Sequence, residues 1–204
     1  EQKMSYFPYK IYCDMDGVLC DFEKGAVETI NKQLASDSPR YPELAAKVIQ
    51  ELGRDYINVE DIQKYSPGKS RAATKYMYFI IQDDEEFWIN LSWQPGGKRL
   101  WAYVRQYDPD ILTSPMDKRG KNESLSGKLT WVKNNLGLSP EKVNFAHDKW
   151  KFAVSEDGNP NILIDDFESK TKPFTEAGGI GILHINADNT IRILEVLEQS
   201  DEAP

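Results

Sequence analysis

Two carboxylates stand two residues apart where an apolar run gives out: residues 9–13 (YKIYC) lead straight into Asp14-Met15-Asp16-Gly17. In an extended strand, residues two apart face the same side, so Asp14 and Asp16 can project together beyond the strand end. Gly17 lets the backbone turn sharply away. Later apolar runs end in related chemistry. Ile111-Leu112 delivers the hydroxyls of Thr113 and Ser114, with Pro115 closing the run, and residues 161–164 (NILI) deliver Asp165-Asp166. Two adjacent acids at such a place must be met by water or a metal ion, because an uncompensated buried carboxylate is costly. Lys128 opens a helical pattern and can direct its ammonium back toward the strand ends. A solvated helix lysine is the other reading of Lys128, and a locally bonded strand-end hydroxyl is the other reading of Thr113.

The elements that must hold these groups are legible as alternating patterns. Residues 9–13, 110–112, 143–146, 161–164 and 180–185 read as strands, apolar on both faces, as in a parallel sheet covered on both sides. Helical spacing separates them at 97–106, 125–136 (stopped by Gly137) and 190–199. Strand–helix alternation predicts an α/β fold in which ligands bind beyond the carboxyl ends of the strands. The stretch between Cys13 and Asp110 is far too long for a simple crossover and reads as helix at 23–34, 43–52 and 71–82. It predicts a helical subdomain, 24–92, inserted into a core domain of 1–23 and 93–204. The acidic run 83–86 reads as a solvated helix start. Ser66-Pro67-Gly68-Lys69-Ser70 contains a Gly-Lys-Ser, but Gln63 stands where a phosphate-binding loop needs glycine and no apolar strand precedes it. His184 reads as a structural strand-end histidine.

Composition narrows the partners. The 204 residues carry 33 acidic and 25 basic side chains, a net charge of −8. Bulk nucleic-acid binding needs a basic surface and is disfavoured, so an anion handled here needs cations gathered locally or a recruited metal. Cys13 and Cys20 form no C-x-x-C pair and only two histidines are present, which argues against a zinc or redox centre. Buried, reduced thiols are expected. No run approaches about 18 apolar residues, so no membrane-spanning helix is expected. No export leader is visible at Glu1, with Met4 a plausible native start, and a soluble cytoplasmic location is the expectation.

The order Asp-x-Asp, Thr-Ser, Lys, Asp-Asp resembles that of the haloacid dehalogenase (HAD) superfamily of phosphotransferases, with the helical insert in the position of that superfamily's first type of cap. At a finer level, DMDGVLCDFE, ILTSP, GKLTWVKNNLG and ILIDD are similar to motifs of the C-type 5′(3′)-deoxyribonucleotidases, and FWINLSWQPGG resembles, less specifically, that family's aromatic stretch. The resemblance implies a HAD-like, Rossmann-type parallel sheet flanked by helices with an inserted helical cap. It implies a Mg²⁺-dependent phosphomonoesterase acting on (deoxy)nucleoside monophosphates, with Asp14 as nucleophile and Asp16 as acid and base. Mg²⁺ would be held by Asp14, the Asp16 carbonyl and one of Asp165 and Asp166. Thr113 or Ser114 and Lys128 would bind the transferring oxygens. Lys149 also matches a family position and could share or take over the role of Lys128, which is preferred of the two.

Phe22 falls where these enzymes set an aromatic against the base, or it packs at the domain junction. Trp88 and Trp93 suit base stacking or a core. A phosphatase for a nucleic-acid 3′ end or a sugar phosphate, and a non-catalytic phospho-accepting module, are the alternatives. The expected partner is a small phosphorylated substrate, a nucleotide on the leading reading, with no bulk nucleic-acid binding and no membrane.

Overall fold

The computed structural model describes residues 7–200; Met4 and the outermost ends of the expected core segments lie outside the described residues. Five strands, β1 (Ile11–Cys13), β2 (Asp110–Thr113), β3 (Val143–Phe145), β4 (Ile162–Asp165) and β5 (Ile180–Leu183), pair in the order β3-β2-β1-β4-β5. Every pairing is parallel, so the carboxyl ends of all five strands share one edge of the sheet. The α/β architecture with a parallel sheet is the one expected. β1 and β4 lie in the interior of the sheet, which explains why Ile11, Cys13 and Ile162–Ile164 are all fully buried and why their sequences lack polar alternation.

The chain divides into two compact units. The first runs up to Cys20, through Trp93–Ser114 and on from Ser139. It holds the sheet together with α5 (Gly97–Val104), α7 (Glu168–Glu176) and α8 (Ala187–Ser200). Leu112, Leu163, Ala153 and Phe174 form a buried cluster there, with Tyr12 and Phe152 packed against it. Cys13 and Cys20 are buried thiols outside any disulfide, as expected. His184 is buried and its Nδ1 lies 2.7 Å from the Thr190 hydroxyl, a structural placement.

The second unit comprises Asp21–Ser92 and Pro115–Leu138. It contains α1 (Phe22–Leu34), α2 (Pro42–Leu52), α3 (Arg71–Gln82), α4 (Glu85–Ile89) and α6 (Glu123–Leu136). It therefore gathers α6 along with the segment 24–92. The reason is local packing: the Trp131 indole N–H donates to the Leu91 carbonyl at 2.8 Å, and Gly127 lets α6 approach so closely that a Cβ there would meet the Trp88 side chain at 2.6 Å. The helix starts follow capping chemistry. Asp21, Ser70 and Asp84 each accept a backbone N–H of the first turn of α1, α3 and α4. The acidic run 83–86 thus opens α4, and Ser70 of the Gly-Lys-Ser is a helix cap. Gly137 ends α6 at φ 68°, as its position predicts. Among the described residues no helix is long and apolar enough to cross a membrane.

Candidate active site

The site is built on the first unit at the carboxyl edge of the sheet. Asp14 follows β1 directly, and its N–H donates to the Ile164 carbonyl at 2.9 Å, prolonging the pairing with β4. Asp165 is the last residue of β4, and Asp166 comes next. Pairing of β1 with β4 thereby brings together carboxylates about 150 residues apart in sequence: one ligand oxygen from each of Asp14, Asp165 and Asp166 lies within 4.8 Å of the others. After Asp16 the chain folds into a tight loop in which the N–H groups of Val18, Leu19 and Cys20 all point at the Met15 carbonyl. Gly17 makes that turn at φ 81°, and a Cβ added there would collide with the Asp166 carboxylate. Gly17→Ala is therefore expected to cost about 2 kcal/mol or more, from left-handed strain plus the displaced carboxylate. Thermal melting and metal titration of this variant check it: both stability and metal affinity should fall.

Lys149 completes the cluster. It begins a 3-10 turn, Lys149–Phe152, after β3, and its Nζ donates to Asp14 Oδ1 at 2.9 Å and Asp165 Oδ2 at 2.7 Å. Lys149 is 2% exposed and Asp165 is 0% exposed, so this is a desolvated ion pair. Burial alone would disfavour the Lys149 charge, but the carboxylates of Asp14 and Asp165 outweigh it and raise its pKa. Three carboxylates against one ammonium still leave negative charge in excess. Burial, then the Asp14 charge, raises the Asp165 pKa; burial, then Asp14, Asp165 and Asp16, raises that of Asp166. Asp165 Oδ1 is satisfied by the Phe167 N–H at 2.9 Å, whereas the buried Asp166 Oδ1 has no hydrogen-bond partner among the described residues. A hard divalent cation fits this set: oxygen donors only, excess charge and one buried oxygen awaiting a partner.

The raised carboxylates set a pH dependence. Their folded-state pKa values exceed the ordinary 3.8, so stability is fully present below that value and is lost as pH rises through the folded ones. A bound cation restores what ionisation removes. Mg²⁺ is accordingly expected to raise the melting temperature more at about pH 8 than at about pH 5, since the ionised carboxylates both repel one another and bind metal. Equal shifts at the two pH values in a thermal melt would contradict the charge argument.

The other expected site residues fall in two places. Thr113 closes β2, beside β1, and is buried; its carbonyl accepts the Ala146 N–H at 3.1 Å. The Ser114 hydroxyl donates to the Ala146 carbonyl at 3.3 Å. Lys128, preferred on sequence, belongs to α6 in the second unit, where its ammonium sits 5.0 Å from the centre of the Trp88 ring. Phe22 is half-buried in the same unit and stacks on Trp88, with ring centres 5.7 Å apart. Trp88 itself is only 1% exposed, packed against Phe22, Phe87 and Lys128, and its indole N–H donates to the Ile81 carbonyl. Trp93 lies in the first unit with the Lys98 ammonium over its ring at 5.9 Å, so Trp88 and Trp93 do not share one unit.

No protein-family model matches the chain. Among solved structures, it is similar to a hydrolase from Streptococcus pneumoniae TIGR4 (11% identity, 94% of this chain and 100% of that one, TM-score 0.49). It is also similar to a phosphonoacetaldehyde hydrolase-like protein from Oleispira antarctica (15%, 96% and 85%, TM-score 0.45). A third is a HAD-superfamily hydrolase from Ehrlichia chaffeensis (13%, 92% and 96%, TM-score 0.42).

Proposed function

We propose that this protein is a Mg²⁺-dependent phosphomonoesterase of the haloacid dehalogenase type that hydrolyses (deoxy)nucleoside monophosphates. The observation that carries this reading is the convergence of Asp14, Asp165 and Asp166 on one buried point with Lys149 bridging two of them. A carboxylate aimed outward from a strand end, held by an ammonium and freed from water, is an oriented nucleophile.

In this reading an Asp14 oxygen attacks phosphorus, the bond from phosphorus to the ester oxygen breaks, and Asp16 gives its proton to the departing alkoxide. Asp16 then takes a proton from a water molecule whose oxygen attacks the same phosphorus, releasing phosphate and restoring the Asp14 carboxylate. Thr113 and Ser114, at the end of the strand next to β1, supply hydroxyls for the transferring oxygens, and Lys149 holds the nucleophile in place. Asp14, Asp165 and Asp166 would hold the cation with help from the Asp16 carbonyl; its chemistry is to neutralise the repulsion between carboxylates and phosphate.

The resemblance of DMDGVLCDFE, ILTSP, GKLTWVKNNLG and ILIDD to motifs of the C-type 5′(3′)-deoxyribonucleotidases supports the nucleotide class. The participation of Lys128 in phosphate binding, and of Phe22, Trp88 and Trp93 in base binding, is proposed on that resemblance. The deciding experiment measures phosphate release, with Mg²⁺, from deoxynucleoside 5′- and 3′-monophosphates, sugar phosphates and an oligonucleotide 3′-phosphate. Fastest release from a nucleoside monophosphate is expected. Preference for a sugar phosphate would move the substrate class, and release from none of them would overturn the reading.

A further inference from the structure

A separate feature lies wholly within the second unit and shares no residue with the carboxylate cluster. A cavity of about 590 Å³ opens between α3 and the 3-10 turn Lys118–Gly120. Five cationic side chains line it, Lys69, Arg71, Lys75, Lys118 and Arg119, and no acidic residue does. No ion pair holds any of the five among the described residues. In a chain of net charge −8, this is a local concentration of unneutralised cations.

Two aromatic rings stand among them. Arg119 Cζ lies 4.2 Å from the centre of the Phe79 ring, with Lys75 Nζ at 5.8 Å from the same ring, and Lys118 Nζ lies 5.9 Å from that of Tyr78. The turn is fastened to α3, because the buried Gln82 side-chain amide donates to the Lys118 carbonyl. Arg119 is held in the left-handed region at φ 63°, a conformation that costs a non-glycine residue. Lys69 and Arg71 flank Ser70, the cap of α3, so the Gly-Lys-Ser rejected as a phosphate loop does contribute a cation here.

The volume is that of a small-molecule site. Cations without carboxylate partners call for a ligand with more than one negative charge, and the exposed Tyr78 ring offers a face on which a flat ring can stack. We propose that this cavity is a second binding site, for a small organic polyanion bearing a flat ring, of the nucleoside diphosphate class. The inference stands independently of the reaction proposed above.

Calorimetric titration of the full chain, without divalent cation, uses three probes: ADP, adenosine and inorganic pyrophosphate. ADP is expected to bind, with adenosine and pyrophosphate each weaker by at least about tenfold, since each lacks half of the recognised chemistry. Lys75→Glu/Lys118→Glu should weaken ADP by at least about tenfold, and Tyr78→Leu should selectively remove the advantage of ADP over pyrophosphate. Unchanged melting curves would show that these variants fold. ADP binding undiminished in the double variant, pyrophosphate binding as tightly as ADP, or no ADP binding at all would each overturn the proposal. Phosphate release by the same variants reports separately on the reaction, so failure of one inference is distinguishable from failure of the other.

Discussion

Asp14→Asn is expected to abolish turnover, lowering kcat by at least about a thousandfold, while leaving a folded protein that melts no lower than the parent. The amide keeps the shape of the side chain but cannot form the phosphoester bond on which the proposed reaction depends. Stability should survive because the substitution removes one negative charge from a set already in excess: Lys149 retains Asp165 at 2.7 Å, and the raised pKa values of Asp165 and Asp166 owe part of their shift to Asp14. Phosphate-release kinetics beside a thermal melt check both halves. Ordinary turnover in Asp14→Asn would eliminate the covalent route. Lost turnover together with a collapsed melt would show that the charge balance of the cluster has been misjudged.

Lys149→Met carries the second large effect, and it falls on stability as much as on catalysis. The substitution leaves Asp14 and Asp165 buried with no ammonium between them. Breaking one partner out of a buried ion pair costs about 3–5 kcal/mol, and protonation of Asp165 sets how much of that is recovered at low pH. The expected result is a metal-free protein destabilised by about 3 kcal/mol at neutral pH and less so in acid. Denaturant unfolding with and without Mg²⁺ measures it. Lys149→Met/Asp165→Asn should regain part of the loss, because the second change removes a carboxylate the first one stranded. A neutral Lys149→Met would mean that the ammonium does not balance the cluster.

Much of the scaffold is legible in the sequence alone. The five strands sit where apolar runs were interrupted by turn residues, and α3 spans 71–82 as its spacing predicted. The strand ends were readable for a related reason: an interior parallel strand is apolar throughout, so the first acid marks its carboxyl end, where Asp14 and Asp165 are themselves buried. One helix gave no such signal: α7 carries a proline, Pro173, inside a mostly polar sequence. α4, five residues long and too short to show a period, was announced only by its acidic start. The site shows the same limit: the ammonium that touches Asp14 belongs to Lys149, in a turn whose local pattern announces nothing and which only the family resemblance pointed to.

The sequence by itself determined the chemistry available to this protein: acids after two apolar strands, hydroxyls after a third, and an oxygen-rich set that suits a hard cation. Those are properties of residue type and short spacing, which a strand's two-residue period converts directly into side-chain direction. Only the tertiary structure decided which of those groups meet. The strand order put β1 between β2 and β4, and so joined Asp14 to Asp165 and Asp166 across most of the chain's length. It likewise selected Lys149 as their counter-charge and gathered five dispersed cations around Tyr78 and Phe79. Contacts of that kind depend on how distant segments pack, and no local periodicity encodes them.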